Sequence, residues 1–433
     1  MHPRRKLIAG TAVASALALA LPACGSPSDA TSGGADSITV IMSNHPFQRG
    51  VEPLIAEFEE ETGIEVNVET FAEQQARDKI QLNLQSQSAA MDVYMTLPSR
   101  EGPLFAESGY YEPLDDYLAD ASEDYQADDF GSGAIDGMKV DGTTYAVPVN
   151  VEGPVLYYRT DLFEEWDLTP PATVDELIDT AGTIAERDPE ITPITLRGQA
   201  PALPFTFGPF VHGNGVEWTD DDGAPNFDEP GAVEAIEQYA TLAREYGPPG
   251  VINYTFTESS ALFAQGKAAM MLESSNELNS VVDESNSTVG EQVGVVSMPA
   301  GSDRSSPTVL SWGLAMSPHS DKKDDAWRFL EWASNPQTQL ALTEADIAPP
   351  RTSVAEDPAY TDTLDTPTLQ AWHEAVVDLQ ENGHVEVGPV GSDAPTMRQV
   401  IGDAVGEVIL GDITAEEAAA EIQAGLEPLL AEE

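Results

Sequence analysis

The 433-residue chain carries 75 Asp+Glu against 19 Lys+Arg, a formal net charge of −56, with 41% hydrophobic residues and one cysteine. A surface this negative repels nucleic-acid phosphates and anionic lipid heads, so nucleic acid is excluded as a partner. The apolar share is that of a packed globular chain, which excludes intrinsic disorder, and a lone cysteine excludes an internal disulfide.

The chain opens with Arg4, Arg5 and Lys6, followed by an apolar run from Leu7 to Leu21 that ends in Leu21-Pro22-Ala23-Cys24. Cationic head, apolar stretch and small-residue break make residues 1–23 a secretory signal peptide. The run is too short and alanine-rich to span a membrane. Leucine three residues before Cys24 and alanine directly before it resemble a bacterial lipobox, which implies a lipid-modified Cys24 as the mature N-terminus. Arg4-Arg5 also hints at twin-arginine export. Residues 24–36 are a Gly/Ser/Ala/Thr/Pro/Asp tether reaching at most about 40 Å. The chain is thus expected outside the cytoplasm, moored to the membrane by lipid. Its acids run along the whole length, which fits adaptation to high salt; capture of a cationic ligand is the alternative.

The folded part begins with Ile38 to Met42, a β-rich run. Val51, Leu54, Ile55 and Phe58 then fall at helical spacing, with Gly63 as the stop. Ile64, Val66 and Val68 alternate as a strand, Ala72 to about Ser86 is helical, and Asp92 to Met95 is a third strand. Strand alternating with helix predicts a largely parallel sheet with helices on its faces. Asp141-Gly142 predicts a hairpin, ended by Pro148. Beyond it, Leu156 to Tyr158 reads as a strand, and Thr173 with Glu176 caps a helix. A further helix carries Val233, Ile236, Ala240 and Ala243; Ala268 to Leu272 and Val293 to Val296 are strands; Thr414 with Glu417 opens the last helix. Two α/β lobes follow from this order.

Catalytic signatures are absent: no nucleophile elbow, H-E-x-x-H, phosphate loop or dinucleotide fingerprint occurs. His45, His212, His319, His373 and His384 are isolated in sequence, so metal-ligand spacing is missing. No cofactor or metal is expected, and no enzymatic activity. What the chain supplies instead is aromatic, amide and hydroxyl residues after strands: Ser43-Asn44-His45, Ser99-Arg100, a Gly/Pro-rich loop holding Phe205, Phe207, Phe210, His212 and Asn214, then Ser274-Ser275-Asn276 and Ser311-Trp312-Gly313. Ligands of open α/β sheets sit at the carboxyl ends of strands. Arg100, Arg197 and Arg351 read as surface ion pairs. The candidate loops show few clustered cations, which argues against phosphate or sulfate ligands.

Several segments carry a resemblance: Phe58 through Val66, Asp92-Val93, Gly109-Tyr110 with Pro113-Leu114, Asp141 to Pro148, Leu156 to Phe163, Phe263 to Met270, and Ala326 to Leu330. Through them the chain resembles the family 1 extracellular solute-binding proteins, carbohydrate-capturing lipoproteins of ABC importers related to maltose-binding protein. The resemblance implies an α/β two-lobe type II periplasmic-binding-protein-like fold, each lobe a mostly parallel sheet flanked by helices, with the ligand cleft between lobes. Lobe 1 is expected at 37–148 plus 305–352 and lobe 2 at 153–299 plus 360–433, with hinges near 149–152, 300–304 and 353–359. It further implies that Ser43, Asn44, His45, Ser99, Arg100, Asn150, Glu152, Phe205, Phe207, Asn276 and Trp312 line the cleft. Asn276 stands where maltose-binding relatives place a stacking tryptophan, which points away from maltodextrins toward smaller sugars, polyols or glycosides. The implied partners are a neutral carbohydrate ligand and the permease subunits of the importer, with the chain itself a monomer. A receptor for a polyamine-like cation and a secreted glycoside hydrolase are the alternatives.

Overall fold

The computed structural model describes residues 37–220, 222–303, 307–345, 347–391 and 393–431. The signal peptide, the tether and Cys24 lie outside them, as does Arg304 at the end of one expected hinge segment. The strands are β1 (Ser37–Ser43), β2 (Glu65–Phe71), β3 (Val93–Thr96), β4 (Lys139–Val140), β5 (Thr143–Thr144), β6 (Ala146–Glu152), β7 (Pro154–Arg159), β8 (Thr192–Thr195), β9 (Ala268–Ser274), β10 (Val293–Ser297) and β11 (Leu310–Met316). One sheet has the order β2-β1-β3-β11-β6 and another β10-β7-β9-β8, with β4 and β5 as a separate hairpin.

In the first sheet β1 runs parallel to β2 and β3, while β11 runs antiparallel to β3 and β6. In the second only β8 and β9 pair in parallel. Both sheets are therefore mixed rather than mostly parallel. A helical crossover makes parallel neighbours, whereas β6 to β7 and β10 to β11 carry the chain directly from one sheet to the other. Strands that arrive in this way need not match their neighbours' direction.

Local chemistry accounts for many boundaries. Gly63 ends the helix Ile55–Thr62 at φ 74°, a left-handed conformation that glycine adopts without a Cβ clash. Asp141 (φ 50°) and Gly142 (φ 80°) supply the two positive φ angles of a tight hairpin between β4 and β5. Thr414 and Glu417 cap the last helix, Ala415–Leu430, reciprocally. Two expectations fail. Pro148 does not end a strand but lies inside β6, opposite Gly313; β6 is an edge strand, where a missing N–H is tolerated. The Gly/Pro-rich stretch around Phe205 is not a loop but the helix Pro204–Gly213, every residue of which is buried. Pro204 occupies the first turn, where it lacks no bond. Burial of three phenylalanines outweighs the roughly 3 kcal/mol that Pro209 costs inside a helix.

Each sheet has its own apolar core. Val40, Met42, Val93, Val149, Leu314 and Phe329 belong to the first, and Leu156, Ile194, Phe210, Ile236, Leu272 and Ile401 to the second. A third cluster joins Val151 of β6, Val155 and Tyr157 of β7, Val309 before β11, and Trp372 and Leu379 of the helix Pro367–Asn382. It lies where the chain crosses between sheets, and Gly153 sits at that crossing. A Cβ there would stand 2.1 Å from the Thr308 carbonyl oxygen and 2.7 Å from Leu379 Cδ2. Gly153→Ala is expected to destabilise the fold by about 1–3 kcal/mol, as overpacking does. Urea midpoints at fixed salt check this; an unchanged midpoint would mean that the crossing segments simply move apart.

Candidate ligand-binding cleft

Strand ends from both sheets converge on one cavity of about 500 Å³. Asn44 and His45 enter from the end of β1, Arg100 from the helix Pro98–Glu107 after β3, Glu152 from β6 and Trp312 from β11. The opposite wall is built by Arg197 after β8, Phe205, Phe256, and Ser274 and Asn276 at the end of β9. A smaller chamber of about 260 Å³ adjoins it, sharing Glu73, Arg100, Trp312 and Arg398 and including Ser43.

Glu152 is the polar centre of this wall. Its Oε1 accepts from the Trp312 indole N–H at 2.6 Å, and its Oε2 accepts from the Ser274 hydroxyl. Burial pushes the Glu152 carboxyl upward in pKa, and these two hydrogen bonds pull against that shift. The His45 ring packs on Trp312 at 4.9 Å between centroids. Burial lowers the His45 pKa to about 3. Its Nδ1 accepts from the Phe47 N–H at 3.2 Å, so the neutral ring carries its proton on Nε2 as a donor.

Arg197 corrects the expectation of a surface ion pair. Its guanidinium donates to both oxygens of Glu273, which is 0% exposed, through Nε at 2.9 and 3.0 Å and through Nη2. It lies 4.1 Å from the Phe205 ring centroid and 5.8 Å from that of Phe256. Burial works against its charge, but the Glu273 carboxylate more than offsets this and holds its pKa above the ordinary value. Arg351 is likewise interior: it donates to the carbonyls of Ser334 at 2.5 Å and Gln126 at 2.9 Å, between the rings of Tyr125 and Phe130. Arg100 does form the expected ion pair, with Glu73 at 2.8 Å, but on the cavity wall.

Of the residues that the resemblance implied, Asn44, His45, Arg100, Glu152, Phe205, Asn276 and Trp312 line the cavity and Ser43 the adjoining chamber. Asn150 is fully buried behind Asn276, whose Nδ2 donates to its Oδ1 at 3.0 Å. Ser99 lines neither space. Phe207 is a core residue, with its ring 5.6 Å from Tyr239 and 6.3 Å from Trp218. It lies on a helix, so its neighbour Phe205 points elsewhere. Sequence reasoning missed Arg49, Glu73, Phe256, Glu277 and Arg398. It also read the site as poor in cations, whereas Arg49, Arg100, Arg197 and Arg398 all line it. These arginines are far apart in the chain, so no local clustering could reveal them.

Elsewhere, His212, Glu217 and His384 bring three potential ligand atoms within 4.8 Å, although the histidines are distant in sequence. The two imidazoles stack at 4.0 Å with 6° between their planes. One ion cannot lie in both ring planes, as ligation through nitrogen lone pairs requires, so this arrangement is not a ready cation cage.

Two mixed sheets joined by direct crossings, with strand ends facing a polar and aromatic cleft, define a solute-binding architecture. The sequence profile of the bacterial extracellular solute-binding protein family matches residues 44–340. The chain belongs to that family. It is 30% identical over 311 residues to the mannitol-binding protein of Pseudomonas aeruginosa, covering 70% of each chain. To the erythritol/L-threitol-binding protein of Mycolicibacterium smegmatis it is 26% identical over 381 residues, 79% of this chain and 80% of the other. The crystal structure of an ABC transporter solute-binding protein from Agrobacterium radiobacter K84 in complex with ribitol superposes with a TM-score of 0.79 at 25% identity, over 91% of this chain and 98% of that one.

Glu277 supplies a test of the cleft's electrostatics. Burial, followed by the Glu273 carboxylate, raises its pKa from 4.5 to about 7. The folded state therefore holds a proton that the unfolded state has lost between those values, so stability declines as pH rises through this window and is level above it. Glu277→Gln is expected to remove that share of the decline, seen by comparing urea midpoints at pH 5 and pH 8. Identical slopes in variant and parent would contradict it.

Proposed function

We propose that this protein is the receptor of an ABC importer, capturing a neutral polyhydroxylated solute of the sugar or polyol class and passing it unaltered to the permease. The observation that carries this reading is the cavity between the two sheets, where Trp312, Phe205 and Phe256 meet Glu152, Asn44 and Asn276. A polyol presents apolar C–H edges and hydroxyls that both donate and accept. Rings complement the former, and carboxylate, amide and guanidinium groups the latter. Phe256 is 45% exposed at the cleft, an aromatic face open to a ligand. The relatives named for mannitol and for erythritol and L-threitol, and the ribitol complex, support a linear polyol as the ligand.

The lobes, on this reading, comprise 37–148 with 305–352 and 153–299 with 360–433. They close over the solute by rotation near 149–152, 300–304 and 353–359, the hinge motion for which periplasmic binding proteins serve as a standard example. Cys24 carries the lipid that moors the monomeric receptor to the outer face of the membrane, and the acidic exterior keeps it soluble at high salt. Among the described residues no helix is long and apolar enough to cross a membrane. A polyamine is the weaker reading, because four guanidiniums line the cavity it would enter.

Calorimetric titration with D-mannitol, ribitol and erythritol in 1 M KCl tests the proposal, with small-angle scattering to follow compaction. Trp312→Ala and Glu152→Gln are each expected to weaken binding about 10- to 100-fold, the loss of a charge-assisted hydrogen bond or a stacked ring. Silence across the panel from folded protein, or unchanged affinity in both variants, would overturn it.

A further inference from the structure

The chain's charge and its cleft have opposite characters. Although acids outnumber bases about fourfold overall, four arginines line one cavity. Most of the cleft charges are matched: Arg197 with Glu273, and Arg77 and Arg100 with Glu73 and Glu101. Arg398 is not. Among the described residues no carboxylate lies within 4.0 Å of it, although it is only 9% exposed.

Its surroundings are built. Nε and Nη2 donate to the Pro201 carbonyl at 3.2 and 3.0 Å, and Nη1 donates to the Val387 carbonyl at 3.2 Å. These bonds fix the guanidinium plane and use three of its five N–H groups, leaving one on each Nη. A carboxylate can accept from N–H groups on both Nη atoms. Burial, then the guanidiniums of Arg197 and Arg77, lower the Arg398 pKa to about 10 against the pull of the Glu73 carboxylate, so the group remains charged. Arg398 stands where the two chambers meet, while Glu152 and Glu277 border only the larger one. Glu73 borders both chambers, and its carboxylate, like that of Glu101, is taken up by Arg77 and Arg100 rather than by Arg398.

We infer that the cleft takes aldonates as well as polyols: a linear polyhydroxy chain on Glu152 and Trp312, with a terminal carboxylate seated on Arg398. This rests on the polyol reading above and extends it to the same carbon skeleton oxidised at one end. Arg49 also lines the larger chamber, where its Nη1 donates to Asn44 Oδ1 at 2.9 Å.

The test is calorimetry on the full mature protein with ribitol and D-ribonate, then D-mannitol and D-mannonate, in 1 M KCl, where the long-range repulsion of the acidic exterior is screened. An aldonate dissociation constant no more than tenfold weaker than that of its polyol is expected. Arg398→Met should lower the aldonate-to-polyol affinity ratio at least fivefold. Polyol binding with aldonates more than tenfold weaker overturns the inference and leaves the polyol reading standing. A ratio that changes less than fivefold in Arg398→Met overturns the assignment to Arg398. No binding of either class overturns the polyol reading itself, and this inference with it. Should Arg398→Met fail to fold, the comparison in the unsubstituted protein decides alone.

Discussion

The cleft depends on one buried ion pair. Glu273 lies in β9 at the centre of its sheet with no exposed surface, and an isolated carboxylate there would be untenable. Arg197 and the Ser274 N–H, at 2.8 Å, are what make it tolerable. Breaking such a pair from one side costs about 3–5 kcal/mol, because the remaining charge stays buried. The geometry it imposes reaches further than its energy. Holding Arg197 in plane places the guanidinium against Phe205 and near Phe256, so one wall of the cavity is set by a charge pair lying behind it. The same guanidinium pulls against the burial-driven rise in the pKa of Glu152 and Glu277, and after burial it adds to the lowering of that of Arg398. One structural pair therefore reaches electrostatically to several residues of the cavity wall, on top of the larger effect of burial.

This arrangement also sets the cleft apart from the acidic exterior. Exterior carboxylates act over about a Debye length, which molar salt shrinks to about 3 Å. Inside the cleft, most charges meet a charged partner within 4 Å, where screening is weak. The Arg77, Arg100, Glu73 and Glu101 network closes on itself at 2.7 to 3.7 Å. It contributes rigid donors and acceptors rather than a net field. Exterior and cleft are thus electrostatically separate, and the formal charge of the chain says little about its ligand.

The parts of the fold legible in sequence are those fixed by chemistry within a few residues. Asp141-Gly142 demands positive φ at two adjacent positions, Gly63 ends a helix, and Thr414 with Glu417 closes a capping box. What sequence concealed was set by tertiary packing. Pro204 to Gly213 carries loop composition, yet becomes a helix because all ten residues can be buried. Pro148 sits in a strand because that strand is an edge. In the site, the order of segments placed Asn44, His45, Glu152 and Trp312, each beside a strand end. Phe205 and Phe207 could not be told apart without knowing they lay on a helix. Arg49, Arg197 and Arg398 meet only after folding, and nothing local to any one of them announces the others.

Glu152 lies at the junction of the two sheets. It is the last residue of β6, one residue before the crossing at Gly153. It accepts one hydrogen bond from Trp312 within its own sheet and another from Ser274 of the other sheet. Asn150, two residues earlier, is bonded to Asn276 beyond the end of β9. Rotation of one sheet relative to the other about this crossing would strain or remake these two cross-links. On the proposed function, a guest whose hydroxyls compete for the Glu152 carboxylate would act on the same atoms that link the two sheets. Coupling of this kind would need no relay through the protein, since the proposed binding and closure draw on the same lone pairs.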